Sequence, residues 1–397
     1  HDAAPSFEAV LVQLEDRGSP RGIRPSSVPV ISGQILEPSS LDDGLWRLEV
    51  SAADFVLNST SAASGSFEVV HDTLPPRTSL SVGQPQAEVG GTVFVTRLTS
   101  FTLSSVDDLV EPGDGAGLGV GFQELTVDGS ARATFPDPEP GPGRVLASSF
   151  TLAGDLDGLH ALSYFAEDIG ANREPPRFST VAVDNTAPVS ELSVGLSSFT
   201  AADLKIYVSS RTLLSFVSVD PSSGGVASGV EFIHSRIDGG TFTVFLASFT
   251  LAEGVHGLEF QSEDRLGNLE LLKGATVLAD ATPPTVGFRI EGSSFTDSLG
   301  RLVISTSSLV VLEALDPVSA GVASGAERLR FRLNGADYQS ITASSISFSL
   351  SEGNYSVAFD AQDRVGNVSA TVSFEVLVDS TGPSLDEARV SRAGQNQ

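Results

Sequence analysis

The chain has 397 residues, 40% of them hydrophobic and only 18% charged, with no cysteine and no methionine. That length suggests two to four domains with sizeable cores, and the lack of cysteine excludes disulfides, thiolate metal sites and thiol nucleophiles. The 50 acidic and 23 basic residues give a net charge of −27, which argues against nucleic acid and acidic membrane surfaces as partners.

In chain order, strand-like runs come first at residues 7–14 and 28–35. The first recognisable repeat element follows, Trp46-Arg-Leu48-Glu-Val50-Ser-Ala52-Ala-Asp54. It recurs as His160-Ala-Leu162-Ser-Tyr164-Phe-Ala166-Glu-Asp168, as His256-Gly-Leu258-Glu-Phe260-Gln-Ser262-Glu-Asp264, and as Tyr355-Ser-Val357-Ala-Phe359-Asp-Ala361-Gln-Asp363. Apolar residues at every second position mark half-buried strands. We therefore expect Leu48, Val50, Leu162, Tyr164, Leu258, Phe260, Val357 and Phe359 to be buried on equivalent strands. Four residues after each closing Asp stands an Asn, at Asn58, Asn172, Asn268 and Asn367, the composition of a tight loop.

A second strand follows each loop, and then a linker: Asp72-Thr-Leu-Pro-Pro76, Asp184-Asn-Thr-Ala-Pro188, Asp280-Ala-Thr-Pro-Pro284 and Asp379-Ser-Thr-Gly-Pro383. Proline has no amide hydrogen, so it ends a β-ladder and stiffens the joint. Asp54, Asp168, Asp264 and Asp363 are spaced by 114, 96 and 99 residues, and the linker aspartates by 112, 96 and 99. Between these landmarks, Asp128-Gly129, Asp238-Gly239 and Asn334-Gly335 suit type I′ hairpin turns. About seven short strands per repeat, without helical periodicity, predict an all-β fold of tandem immunoglobulin-like β-sandwich modules in an elongated array.

The boundaries expected are an abbreviated module at 1–74, modules at 75–186, 187–282 and 283–381, and a tail or the start of a further repeat at 382–397. The longer second module carries a proline-rich insert near 131–144, expected as a surface loop. With no methionine, His1 is expected to follow processing or trimming, and no apolar run here approaches the roughly 18 residues of a membrane span.

The Glu263-Asp264-Arg-Leu-Gly267-Asn268 strand end and the Asp280-Ala-Thr-Pro-Pro284 linker resemble the bacterial Ig-like repeat families of secreted and cell-surface proteins. The run Ser248-Phe249-Thr250-Leu251 before Glu253-Gly254 is similar to those repeats as well. The resemblance covers residues 31–383. It implies a β-sandwich and an extracytoplasmic location, and no single activity, because such modules serve as stalks, adhesins and spacers.

No catalytic group emerges. His160 and His256 share a repeat position with Trp46 and Tyr355, which marks an aromatic packing or strand-edge position. His1, His71 and His234 have no recurring partner for a nucleophilic triad. Carboxylate pairs recur with the loop, as Glu167-Asp168 and Glu263-Asp264, whereas a glycosidase site would occur once. In an Ig-type sandwich, the incoming linker meets the loop after the second strand and the loop before the last strand at one pole. Asp72 should then approach Asp107, Glu167 and Asp168; Asp184 should approach Asp220, Glu263 and Asp264; and Asp280 should approach Asp316 and Asp363. Calcium is the candidate cofactor for such carboxylate groups. The alternative is that these aspartates cap turns through backbone amides.

The expected function is a non-catalytic structural or adhesive stalk, fibre or sheath on the bacterial surface. The alternative is an accessory spacer or carbohydrate-binding region of a secreted hydrolase. Self-assembly into a filament or surface layer, and a polysaccharide or cell-surface ligand, are the partners considered.

Overall fold

The computed structural model describes residues 6–16, 27–31, 34, 41–54, 56–109, 111–113 and 117–382. Among them every regular element is a β-strand, and no helix is long and apolar enough to cross a membrane. The chain forms two compact units, one of His1–Asn185 with Ser223–Val226, the other of Thr186–Ser222 with Ala227–Gln397.

The first unit begins with a four-stranded sheet in the order Ser27–Pro29, Ser6–Asp16, Gly44–Ala53, Ser59–Val69. Trp46 is sealed within it beside Leu11, Leu41 and Val69. The next module is a complete sandwich. Its larger sheet orders Ser130–Pro136, Val120–Val127, Gly158–Asp168, Arg177–Val183, Thr92–Val95 and Gln86–Val89. Its smaller sheet orders Val145–Phe150, Phe101–Val106 and Arg77–Val82. Leu162 pairs with Val127 and Tyr164 with Leu125, so alternate residues of both strands point into one core with Phe101, Leu103 and Val181. Burying each such side chain contributes roughly 1.5–3 kcal/mol.

The second unit repeats this plan twice. One six-stranded sheet is centred on Gly254–Asp264 and the other on Gly353–Asp363, and smaller sheets pair Val189–Val194 with Leu214–Val219 and Thr285–Glu291 with Leu309–Leu315. In all three complete sandwiches the last strand also pairs in parallel with a short early strand. Asp128, Asp238 and Asn334, each at φ 51°, precede glycines at positive φ, as the hairpin turns require. The fold is thus tandem Ig-like β-sandwiches.

Three details depart from the sequence expectation. Leu48 and Val50 are half-buried rather than buried, because among the described residues the first module shows one sheet and no facing partner. The proline-rich insert is part strand: Ser130–Pro136 pairs along Val120–Val127 with a bulge near Ala131, and the loop begins only after Pro136. Of the run expected at 28–35, the described residues form a strand only at Ser27–Pro29, and residues 32, 33 and 35 lie outside the described residues. Most of the 382–397 tail lies outside the described residues.

Candidate metal centre

Where each long central strand ends, its closing aspartate caps the next loop. Asp168 Oδ1 accepts the Asn172 amide N–H and Oδ2 accepts Asn172 Nδ2, both at 2.8 Å. In the last module Asp363 Oδ1 accepts N–H groups of Val365 (3.0 Å) and Asn367 (2.8 Å), while Oδ2 accepts Asn367 Nδ2 at 2.7 Å. The same asparagine amide also reaches the incoming linker: Asn172 Nδ2 donates to the Asp72 carbonyl at 2.9 Å, and Asn367 Nδ2 to the Asp280 carbonyl at 3.0 Å. One side chain therefore ties linker to loop.

The loop after the second strand of each smaller sheet supplies the rest. Leu118 N–H donates to Asp72 Oδ2 at 2.9 Å and Gly119 N–H to Asp107 Oδ2 at 2.8 Å. At the equivalent joint Ser324 N–H donates to Asp280 Oδ2 at 2.7 Å and Gly325 N–H to Asp316 Oδ2 at 2.6 Å. Gly119 (φ 115°) and Gly325 (φ 91°) adopt the left-handed backbone that aims these amides, and a Cβ on Gly117 would collide with the Asp107 carboxylate at 2.3 Å. In the last module, Arg364 also lies 5.4 Å above the Phe199 ring and Val365 is buried, so apolar and cation–π contacts flank the loop.

The result is two equivalent trios, Asp72–Asp107–Asp168 and Asp280–Asp316–Asp363, each with one oxygen per residue inside a mutual 4.8 Å. Asp72 is half-buried and the other five are buried. At such separations each ionised pair repels by about 3–4 kcal/mol at an effective dielectric near 20. Burial, reinforced by the neighbouring carboxylates and opposed by the Gly119 amide, pushes Asp107 from 3.8 to about 6. Asp316 is pushed to about 6 in the same way, with the Gly325 amide opposing and Asp280 and Asp363 reinforcing. Burial raises Asp363 too, against the bonds from Asn367.

The decisive detail is at Asp107 and Asp316, which are 2% and 9% exposed. In each, Oδ2 is bonded to a glycine amide, while Oδ1 is buried and has no hydrogen-bond partner. By contrast, the adjacent Asp108 is neutralised by Arg77 at 2.8 Å. Among the described residues no arginine or lysine pairs with any of the six aspartates. An all-oxygen trio with an orphaned buried acceptor suits a hard divalent cation. Calcium, which takes six to eight oxygens in tolerant geometry, fits better than magnesium, which demands a near-octahedral shell.

Glu167 and Glu263 do not join the trios, because neighbours along a strand point to opposite faces. Glu167 sits at the Arg173 bridge, and Glu263 Oε2 faces His234 Nε2 at 3.1 Å. Asp184 follows the last strand of the first unit, its N–H donating to Val95 O. Asp220 and Asp264 belong to the second unit. Asp220 Oδ2 accepts Gly229 N–H at 2.7 Å, and Asp264 accepts the amides of Leu266 and Asn268. The loop donors were missed from sequence, although Asp220-Pro-Ser-Ser-Gly-Gly-Val-Ala-Ser-Gly229 and Asp316-Pro-Val-Ser-Ala-Gly-Val-Ala-Ser-Gly325 repeat visibly.

No family model matches the chain, and no curated protein matches it. Among solved structures it is similar to a tetra-tandem repeat in the extending region of a large adhesion protein, at 17% identity and TM-score 0.34, over 96% of this chain and 94% of that one. It is also similar to a chain from a 1.5-MDa bacterial ice-binding adhesin, at 16% identity and TM-score 0.33, over 78% of this chain and 100% of that one. A third is a set of protocadherin gamma B2 extracellular cadherin domains, at 12% identity and TM-score 0.27, over 96% of each chain. At such TM-scores these likenesses carry no argument about function.

Proposed function

We propose that this chain is a non-catalytic, extracellular structural or adhesive array of Ig-like repeats whose joints are clamped by calcium. The observation that carries this reading is the orphaned buried Oδ1 of Asp107 and of Asp316, in carboxylates that each share a trio with two further aspartates. Asp72, Asp107 and Asp168 would hold one ion, and Asp280, Asp316 and Asp363 another. When bound, the ion supplies positive charge that offsets the mutual repulsion of its trio. The protein supplies the rest. Asn172 and Asn367 hold the linker against the loop, and the glycine amides fix the orientation of Asp107 and Asp316.

Each trio draws on three segments: the linker, the loop after the second strand of the smaller sheet, and the loop before the module's last strand. Binding to all three at once makes the stiffness of the joint depend on the ion. Modules that work outside cells bind calcium at about 10⁻⁴–10⁻³ M, the range this reading expects of the joints. The repeated, acidic, cysteine-free chain fits an extension or adhesive region better than a catalytic domain.

Isothermal titration of the chelator-stripped full chain with calcium tests this. The reading expects saturable binding in that range and a rise in melting temperature, with magnesium giving much less. No binding heat and no thermal shift with calcium would overturn it.

A further inference from the structure

An aromatic side chain anchors the corner before the long central strand in three of the modules. Trp46 Nε1 donates to Asp42 O at 2.8 Å. His160 Nε2 faces Leu156 O at 2.8 Å, and His256 Nε2 faces Ala252 O at 2.9 Å. All three reach the carbonyl four residues upstream. The histidines make a second contact at the other ring nitrogen: Nδ1 lies 2.7 Å from Asp128 Oδ2 in His160 and 2.8 Å from Asp238 Oδ2 in His256. Those aspartates sit in the hairpin turns, and their Oδ1 atoms accept N–H from Ala161 and Gly257.

A neutral imidazole has one N–H and can satisfy only one of two acceptors, whereas an imidazolium donates to both. Here both partners, a carboxylate and a carbonyl, are acceptors. The last module carries a neutral counterpart: Tyr355 holds the histidine position, and Asn334 Oδ1 accepts Ser356 N–H at 2.8 Å.

We infer that the second and third modules carry a protonation-dependent corner latch, in which an imidazolium at His160 or His256 ties the loop before the central strand to the hairpin turn. The charged groups around His160 are Asp128 from the turn and Asp155 from the loop, the latter held by Arg132 at 2.9 Å. His256 faces Asp238. Burial opposes charging both rings, but their hydrogen bonds and the facing carboxylates outweigh it and raise both above the ordinary histidine value. The Ala161 amide and His160 lower Asp128, and His256 and the Gly257 amide lower Asp238, so both turn carboxylates stay ionised. A folded-state value raised above the unfolded one gives stability that is complete below the ordinary histidine range. That stability fades as pH rises through the folded value.

The latch lies away from the aspartate trios and can be tested with calcium removed. Hydrogen exchange of the full chain in chelator, corrected for intrinsic rates and run from about pH 5 to pH 8, reads it at loops 151–157 and 250–253. Protection should fall several-fold there as pH rises, and by clearly more than at loop 349–352 in the tyrosine module, which carries the titration of Asp316 but no histidine. His160→Tyr should reduce the response in the second module to that of the tyrosine module and leave the third unchanged. Equal responses in all three modules, or an undiminished response after His160→Tyr, would overturn the latch. So would an NMR titration placing His256 at or below the ordinary histidine value, a check that needs no variant.

Discussion

Asp316→Asn separates a cation site from a set of turn caps. In chelator at neutral pH, Asp316 must ionise where burial and two aspartates push it from 3.8 to about 6. At about 1.4 kcal/mol per pH unit, that conflict is worth up to about 3 kcal/mol. Asparagine keeps an oxygen for the Gly325 amide and turns an NH2 toward Asp280 or Asp363, so it fills the orphaned position with a donor. The chelated variant should therefore be more stable than wild type by about 1–3 kcal/mol. At about 4–8 °C per kcal/mol for a module of this size, calorimetry would resolve the shift easily. Calcium at about 100 times its dissociation constant adds about 2.7 kcal/mol to wild type and should add little at this joint in the variant. A chelated variant less stable than wild type, with an undiminished calcium response at the last module, would refute the assignment.

The acid response should change sign with calcium. In chelator, Asp107 and Asp316 bind protons near about 6 when folded but in the ordinary carboxylate range when unfolded, so acidification from about pH 7 to 5 stabilises the chain. In calcium the same acidification should destabilise, because protons displace the ion; a pH series of melting curves with an Asp107→Asn/Asp316→Asn double variant isolates this contribution. Asn367→Ala removes the bonds to Asp363 and to the Asp280 carbonyl, and should cost about 1–3 kcal/mol with weaker calcium binding at that joint. Phe359→Ala empties a fully buried position in the last core and should cost about 3–5 kcal/mol in denaturant unfolding.

Much of the fold was legible because the strand period of two leaves a direct trace. Leu162 and Tyr164, Leu258 and Phe260, and Val357 and Phe359 each stand two apart in their strands, and all six are buried. Leu48 and Val50 show the same alternation but are half-buried, because alternation reports which face a residue occupies and not whether a second sheet covers it. The aspartates of the trios were legible from topology, since linker, second-strand loop and last-strand loop share a pole in an Ig-type sandwich. Glu167 and Glu263 were misplaced by treating a neighbour in sequence as a neighbour in space, which strand alternation forbids. The orphaned oxygens could not be read, because they depend on which carboxylate oxygen the Gly119 and Gly325 amides engage. The two histidines were legible as a packing position. Their double acceptor environment was not, because it requires the turn aspartate and the upstream carbonyl to converge on one ring.

The most direct test is an experimental structure of the full chain grown in calcium. The clamp assignment predicts an ion within bonding distance of Asp107 Oδ1 and another at Asp316 Oδ1, each shared with the other two aspartates of its trio. Density showing those two oxygens bonded to protein donors or to water alone, with no ion at saturating calcium, would contradict it.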